Sequence, residues 1–179
     1  AEEITKYAYT IVDPEEIKYQ LQKALYIARS GRPGPVLIDI PDDLQRQLVD
    51  PLKLKNFQAP ATQELPHLNN SLQDTIDSIM NSERPILIAG WGLHLSNTEA
   101  EFLKFAESFN IPIALTWGAA DLIPFDHDLY VGTFGTHGNR HANFAVQNAD
   151  LIISLGSRLD TKSTGSPINT FAREARKIM

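Results

Sequence analysis

Three short glycine-containing segments of the chain each follow an apolar run. They are Gly90-Trp91-Gly92, Thr116-Trp117-Gly118 and Gly156-Ser157-Arg158. Glycine lets a backbone approach a phosphate or a planar ring closely, and a helix that begins just beyond such a loop offers unpaired N–H groups to an anion. These segments therefore predict a phosphate-bearing ligand. The alternative for Gly90 and Gly92 is an ordinary tight turn, because the complete dinucleotide fingerprint G-x-G-x-x-G is absent.

Rings in or beside these segments are further candidates for ligand contact. His137 lies within residues 132–138, whose three glycines are typical of a binding loop. No carboxylate or nucleophile stands at a spacing that would make His137 a general base, so we predict a binding role for it and assign no catalytic residue. His137 and His141 lack the third ligand of an H-E-x-x-H pattern, so we predict no metal site. Trp91 and Trp117 either cover a bound cofactor or pack in the core.

Two arginines each allow two interpretations. Arg32 stands in the rigid turn Gly31 to Pro35, and Arg158 follows a predicted strand. Each either clamps a phosphate or an adenine face or pairs with a nearby carboxylate, and the residues alone favour the pairing. Asp39 and Asp160 are predicted to be a strand-end hydrogen-bonding carboxylate and a loop cap, respectively, rather than an acid–base pair.

Alternating helices and strands must position these segments. A helix is predicted to begin at Asp13-Pro14, where Asp13 caps and Pro14 suits the first turn, and to end at Gly31. Apolar runs predict strands over 35–40, 85–89, 111–116 and 150–156, and the opening of another over 176–179. Parallel neighbours need crossover connections, so this alternation predicts an α/β fold, a parallel sheet with helices on both faces. Ligands bind at the carboxyl ends of such strands, so we expect the three segments to converge on one edge.

Helical spacing also predicts which side chains face the core. In the first helix they are Ile17, Leu21, Ala24, Leu25 and Ala28. In the helix before residue 85 they are Leu72, Ile76, Ile79 and Met80. A further helix, capped by Ser96 or Asn97, turns Phe102, Leu103, Ala106 and Phe109 inward.

Composition narrows the class of protein. A chain of 179 residues that is 42% hydrophobic can bury one good core and carry an extra segment. A formal charge of −6 argues against nucleic acid, and the absence of cysteine excludes disulfides and thiolate chemistry and fits a cytoplasmic setting. No apolar run reaches the roughly 20 residues of a membrane-spanning helix. Both ends look cut, so we expect a piece of a longer protein.

Two groups of motifs occur in order along nearly the whole chain. The first is Ile4-Thr5-Lys6, Asp13-Pro14-Glu15, the run Ala28 to Pro41, and Asp43-Leu44-Gln45. The second is Gly90-Trp91-Gly92, Gly135 to Gly138 with Ala142-Asn143, Ala149-Asp150-Leu151, Gly156-Ser157-Arg158 and Thr164-Gly165. In these motifs the chain resembles the acetolactate synthase branch of the thiamine diphosphate (ThDP)-dependent enzymes.

The resemblance implies a division into three parts. Residues 1–50 correspond to the C-terminal part of the pyrimidine-binding domain, 51–70 to an interdomain linker, and 71–179 to a Rossmann-like (DHS-like) central domain truncated at its C-terminus. In that family the central domain binds FAD in a structural role, and in relatives it binds ADP or nothing. The residues that would line this site are Arg32, Gly90, Gly92, Thr116, Gly118, His137, Gly138, Gly156 and Arg158, with Trp91 and Trp117 in the same loops.

The resemblance also implies an activity for the parent protein. It would decarboxylate a 2-oxo acid, with pyruvate as donor, on ThDP and Mg²⁺, and transfer the acyl unit, as in branched-chain amino acid biosynthesis. The groups that activate and hold ThDP would lie outside this chain, so the chain alone is predicted to be inactive. The parent is expected to be a cytoplasmic homodimer or homotetramer.

Three departures from the family pattern leave other interpretations open. Trp91 replaces a glycine, residues 116–119 lack the usual Leu-Met-Gly after the threonine, and Leu159-Asp160-Thr161-Lys162 stands in place of Phe-Asp-Asp-Arg. One alternative is another ThDP-dependent decarboxylase or carboligase with ADP or no nucleotide. An alternative of another class is a stand-alone, non-enzymatic nucleotide-binding module.

Overall fold

Residues 1–61 and 68–179 are described by the computed structural model of the chain. Contacts divide the chain into two units, Ala1–Leu65 and Pro66–Met179, and each is described by itself. No helix in the described ranges combines the length and the apolar character needed to cross a membrane.

The first unit joins two parallel strands through one helix. Its elements are β1 (Tyr7–Thr10), α1 (Ile17–Arg29), β2 (Val36–Asp39) and α2 (Asp42–Gln45), with 3-10 turns at Glu2–Ile4 and Pro14–Glu16. Strand β1 pairs with β2 from Tyr7 opposite Val36 to Thr10 opposite Asp39. Strand β1 was not predicted, because its tyrosine and threonine side chains do not form a continuous apolar run.

The predicted start of the first helix is confirmed. The Asp13 carboxylate accepts a hydrogen bond from the Glu15 N–H at 2.9 Å, and Pro14 takes the first position. This first turn is 3-10, and the α-helix proper begins at Ile17. Gly31 follows the end of the helix with φ +56°, a left-handed conformation that glycine adopts without a steric cost.

The predicted buried face of α1 is partly wrong. Leu21 and Leu25 are exposed, whereas Gln20 and Ala24 are buried. The Gln20 side-chain oxygen accepts a hydrogen bond from the Tyr7 hydroxyl at 2.6 Å, so a polar residue can occupy the inward stripe without losing a partner. A sheet of two strands covers only this narrow stripe, and the leucines lie beside it.

The second unit is a five-stranded parallel sheet covered by helices. Its strands are β3 (Pro85–Ala89), β4 (Ile113–Leu115), β5 (Tyr130–Thr133), β6 (Leu151–Leu155) and β7 (Arg176–Ile178). Its helices are α3 (Leu68–Asn81), α4 (Gly92–Ser96), α5 (Glu99–Phe109), α6 (Arg140–Gln147) and α7 (Thr161–Thr164). The strand order is β5-β4-β3-β6-β7.

The core of this unit consists of one hydrophobic cluster on each face of the sheet. Alternate residues of the strands point to opposite faces: Leu87 and Ala89 join Ile79, Phe102 and Ala106 from α3 and α5. Ile86 and Ile88 join the other cluster, with Ala142 and Val146 from α6. The predicted α/β fold with helices on both faces is thus confirmed.

Two helical details of the second unit differ from the prediction. In α3 only Ile79 of the predicted stripe is buried. Thr75 and Ser78 on the same side are half-buried, and Leu72, Ile76 and Met80 are exposed, so the inward stripe is narrower than predicted. Neither Ser96 nor Asn97 caps α5. Thr98 precedes that helix, and Asn97, with φ +52°, ends the short α4 instead.

Candidate functional site

The carboxyl ends of β3 and β6 lie side by side at the point where the strand order reverses. From β3 the chain builds the sheet outward through β4 and β5, and it then returns to the other side of β3 with β6. A crevice outside the strands at such a switch point is where open α/β sheets bind ligands. Gly90-Trp91-Gly92 and Gly156-Ser157-Arg158 both begin at this point.

The two glycine segments at the switch point are bonded directly to each other. The Gly90 N–H donates to the Leu155 carbonyl at 2.9 Å, and the Gly92 N–H donates to the Gly156 carbonyl at 2.9 Å. A Cβ on Gly90 would overlap the Gly156 carbonyl, and one on Gly92 would lie 2.6 Å from the Gly156 Cα. Glycine is therefore required here by the packing of the two loops, whether or not a ligand binds.

The segment after β4 lies against the segment after β3. The Thr116 N–H donates to the Ala89 carbonyl at 2.9 Å, and residues 117–119 form a 3-10 turn. A Cβ on Gly118 would be 3.7 Å from the Trp91 Cβ. The structure thus brings all three predicted segments to one edge of the sheet.

Both tryptophan rings at this edge are exposed. Trp91 is 52% exposed and Trp117 is 70% exposed, so neither ring packs in the core of the second unit. The Trp117 ring lies against His137, with ring centroids 5.4 Å apart, and the Trp91 ring lies against His94 at 4.7 Å. Each ring is therefore supported on one side and available to a ligand on another.

The glycine-dense segment 132–138 is only partly a loop. Gly132 and Thr133 belong to β5, a strand that was not predicted because the density of glycines indicated a loop. The loop begins beyond Thr133. Asn143 fixes it through both groups of its amide, because its oxygen accepts from the Gly135 N–H at 2.7 Å and its nitrogen donates to the Gly135 carbonyl at 3.0 Å.

Further contacts connect this loop to the segment after β6. The Thr136 N–H donates to the Lys162 carbonyl at 2.8 Å, and Gly138 closes the turn by donating to the Gly135 carbonyl at 3.0 Å. Asn143 and Lys162 were not among the predicted site residues. The available signal was an amide side chain on the helix that follows a glycine loop, where it can bond to free backbone groups.

Arg158 makes the carboxylate pairing that the residues favour. Its guanidinium lies 3.3 Å from the Asp160 carboxylate, and Asp160 caps α7 by accepting from the Lys162 and Ser163 N–H groups, as predicted. The Ser163 N–H is the main cause that lowers the pKa of the Asp160 carboxyl; burial opposes it and the Arg158 side chain adds to it. The ion pair is exposed and contributes little to stability, so Arg158 can turn to another anion at small cost.

Arg32 belongs to the first unit. Its carbonyl accepts a hydrogen bond from Lys6 Nζ at 2.9 Å, and no ion pair of its side chain occurs among residues 1–61. Its role in the same site as the three loops stays a prediction. In the same unit Asp39 accepts from the Thr10 hydroxyl at 3.3 Å, the strand-end hydrogen bond that was expected.

The edge of the sheet offers groups suited to an anion and a planar ring. Within the described residues, the backbone N–H groups of Trp91, Ser157 and Arg158 donate to no other backbone group. Nor are three His, Asp or Glu side chains arranged there so that they could hold a metal ion. The chemistry available is hydrogen bonding to a phosphate and stacking on an indole.

Comparisons with known proteins extend this description. The family model described as "Thiamine pyrophosphate enzyme, central domain" matches residues 72–179. Acetolactate synthase 2, chloroplastic, of Nicotiana tabacum is 37% identical over 98% of this chain and 26% of that protein. The acetolactate synthase large subunit of Lactococcus lactis is 37% identical over 92% of this chain and 29% of that protein. The chain therefore spans less than a third of the length of these relatives.

A solved structure has the same fold. It is a proposed thiamin diphosphate-dependent enzyme isolated from Mycobacterium smegmatis, which superposes with a TM-score of 0.76 over 97% of this chain and 33% of that chain. At 20% identity, this similarity bears on the fold alone.

Proposed function

We propose a function from the premise that this chain belongs to the thiamine pyrophosphate enzymes through their central domain. The chain would supply the nucleotide-binding part of an acetolactate synthase-like enzyme. The observation that supports the nucleotide site is the convergence of the three glycine segments at the strand-order reversal. The relatives named acetolactate synthase support the type of enzyme.

The reaction that we propose for the whole enzyme is decarboxylation of a 2-oxo acid and transfer of the acyl unit, with pyruvate as donor. When bound, ThDP supplies the electron sink for this chemistry, and we assign it, with Mg²⁺, to parts of the enzyme other than this chain. The residues described above would then bind and orient a nucleotide, and none of them would exchange a proton with substrate.

We propose FAD as the nucleotide, bound as a fixed structural group. The Gly156 backbone is exposed at the edge, and the neighbouring N–H groups of Ser157 and Arg158 can donate to a pyrophosphate. The Arg158 guanidinium can add a charge-assisted bond. The open faces of Trp91 and Trp117 suit the flat rings of a dinucleotide, because such pairs stack with centroids about 4.5–7 Å apart.

The test is a titration of the full chain with FAD and, separately, with ADP, followed by tryptophan fluorescence and corrected for absorption with free N-acetyltryptophanamide. We expect saturable quenching by FAD beyond that by ADP. An equal or stronger response to ADP would indicate a relative that uses ADP. No response to either nucleotide would overturn the binding site.

Matched variants locate the response. Trp91→Phe and Trp117→Phe each remove part of the quenching if both rings face the ligand. Arg158→Gln should weaken FAD binding about three- to tenfold through loss of a charge-assisted bond. Arg46→Gln is the control, because Arg46 is also exposed and also pairs with an aspartate, Asp42, but lies in the first unit. Equal affinities for the two arginine variants would contradict the assignment.

A further inference from the structure

His94 lies between the segments that follow β3 and β4. It stands on α4, directly after Gly90-Trp91-Gly92. Its Nδ1 atom is 2.8 Å from the Glu99 carboxylate at the start of α5, and its Nε2 atom is 3.3 Å from the Asp121 carboxylate, beyond the segment that follows β4. One partly buried side chain thus connects the two ligand-facing segments.

The protonation state of His94 follows from the two carboxylates. A neutral imidazole carries one N–H, so it can donate to Glu99 or to Asp121 but not to both, and its other nitrogen would direct a lone pair at a carboxylate. Only the imidazolium donates to both. The geometry alone therefore favours the charged form.

The titration of the cluster agrees with this geometry. The hydrogen bond to Glu99 raises the pKa of the His94 imidazole above its ordinary value; burial opposes this shift, and Asp121 adds to it. The pKa of the Glu99 carboxyl is lowered, first by the Glu99 backbone N–H and then by His94. Glu99 on α5 and Asp121 after β4 are the charged groups that bear on the imidazole.

The face of the His94 ring supports Trp91. The ring centroids are 4.7 Å apart with an interplanar angle of 54°. A cation within about 6 Å of an indole centroid is attracted by the ring quadrupole, so the imidazolium holds the indole more firmly than the neutral ring does. Trp91 keeps its remaining surface at the carboxyl edge of the sheet.

We propose that His94, as an imidazolium bonded to Glu99 and Asp121, is a positioning residue that ties the segments after β3 and β4 together and orients Trp91 for the nucleotide. The contact is complete while His94 is protonated and both carboxyls are ionised, and it weakens as the pH rises and His94 gives up its second proton. Nucleotide affinity falls over the same range. This last statement rests on the proposed function, whereas the orientation of Trp91 does not.

The first test uses Trp117→Phe as the background, which leaves Trp91 as the sole tryptophan. A protonated imidazole beside an indole quenches its emission. We expect Trp91 emission to rise between about pH 5 and about pH 9, with a midpoint above the ordinary histidine value of about 6.5. His94→Gln should abolish the transition, and Asp121→Asn should lower its midpoint.

His127→Gln is the matched control. Its side chain is 21% exposed, against 20% for His94, and it also faces a carboxylate, Glu107, but no tryptophan. A transition that survives His94→Gln, or one that disappears in the control, would overturn the proposal. If circular dichroism shows that His94→Gln does not fold, the midpoint in Asp121→Asn decides the question.

The second test measures FAD dissociation constants across the same pH range. We expect binding to weaken about two- to fivefold through the Trp91 transition and His94→Gln to remove this dependence. If FAD binds at every pH with the same affinity, the inference fails and the proposed function stands. If FAD does not bind at all, the proposed nucleotide site fails, and the fluorescence titration still decides whether His94 positions Trp91.

Discussion

Two separate features of the structure disfavour a side chain at the position of Gly156. Its φ of +70° lies in the left-handed region, and a Cβ there would be 2.7 Å from the Leu93 nitrogen. Gly165 also has a positive φ, +76°, with open space around it, but its ψ of −174° lies in a region that only glycine adopts readily. Gly156 therefore combines backbone strain with a close loop contact, whereas Gly165 carries backbone strain alone.

Gly156→Ala should lower the free energy of unfolding of the second unit by about 2–4 kcal/mol, because it adds a clash with the Leu93 backbone to the strain of a positive φ. Gly165→Ala should lower it by about 1–3 kcal/mol through strain alone. Both tryptophans lie in the second unit, so denaturant unfolding followed by their fluorescence measures it. A loss of less than about 1 kcal/mol in Gly156→Ala would show that the loops can separate at little cost.

At the scale of single residues, the sequence identifies loop glycines well and supporting side chains poorly. Gly90, Gly118 and Gly156 can be recognised in the sequence because they follow apolar runs. His94 and Asn143 act through partners that are close only in the folded chain, such as Asp121 and the Gly135 backbone. No spacing in the sequence reports those contacts.

At the scale of elements, the Asp150 carboxylate holds together the residues just before β3 and β6. Asp150, just before β6, accepts hydrogen bonds from the N–H groups of Glu83 and Arg84, just before β3, at 2.7 and 2.9 Å. Burial alone would raise the pKa of the Asp150 carboxyl, but these N–H groups and the Arg84 charge hold it below its ordinary value. Asp150 thus aligns the starts of two neighbouring strands.

Asp150→Asn should therefore reduce the free energy of unfolding by about 1–2 kcal/mol at neutral pH. The ionised form is the one stabilised in the folded state, so its contribution is full above the ordinary aspartate pKa and is lost as the pH falls through the lower folded value. The difference between wild type and variant should shrink on acidification. Asp126→Asn, in an exposed loop, is the control, and an unchanged difference at acidic pH would contradict the role of the charge.

Strands with continuous apolar runs are predictable, whereas β1 and β5, which lack such runs, are missed. Ile86, Leu87 and Ile88 are buried on both sides, so β3 has no polar position to interrupt its pattern. Strand β5 contains Gly132 and lies at the sheet edge, where most of its residues are only half-buried and need not be apolar. The buried faces of α1 and α3 are only partly predictable for a similar reason. Helical spacing shows that an apolar stripe exists, but not how wide a surface of the sheet covers that stripe.

For the whole molecule, the choice of cofactor shows which part of the enzyme this chain supplies. The chain has two units and spans only a small share of its relatives, so it should bind some of their cofactors and not others. If the second unit binds FAD and ThDP belongs elsewhere, only FAD stabilises this chain. At about 100 times its dissociation constant, FAD should raise the tryptophan-detected unfolding temperature by about 10 °C. ThDP with Mg²⁺ should leave it unchanged; a comparable rise with ThDP would place part of that site on this chain.

The strand order also has a consequence during synthesis. Strand β3 is the central strand of its sheet, yet its second neighbour, β6, is made only after β4, β5 and α6. Until then a nascent chain on the ribosome presents the apolar edge of β3 without a partner, and unpaired edges of this kind invite pairing with other chains. We therefore expect this sequence to be exposed to aggregation during the interval before β6 emerges.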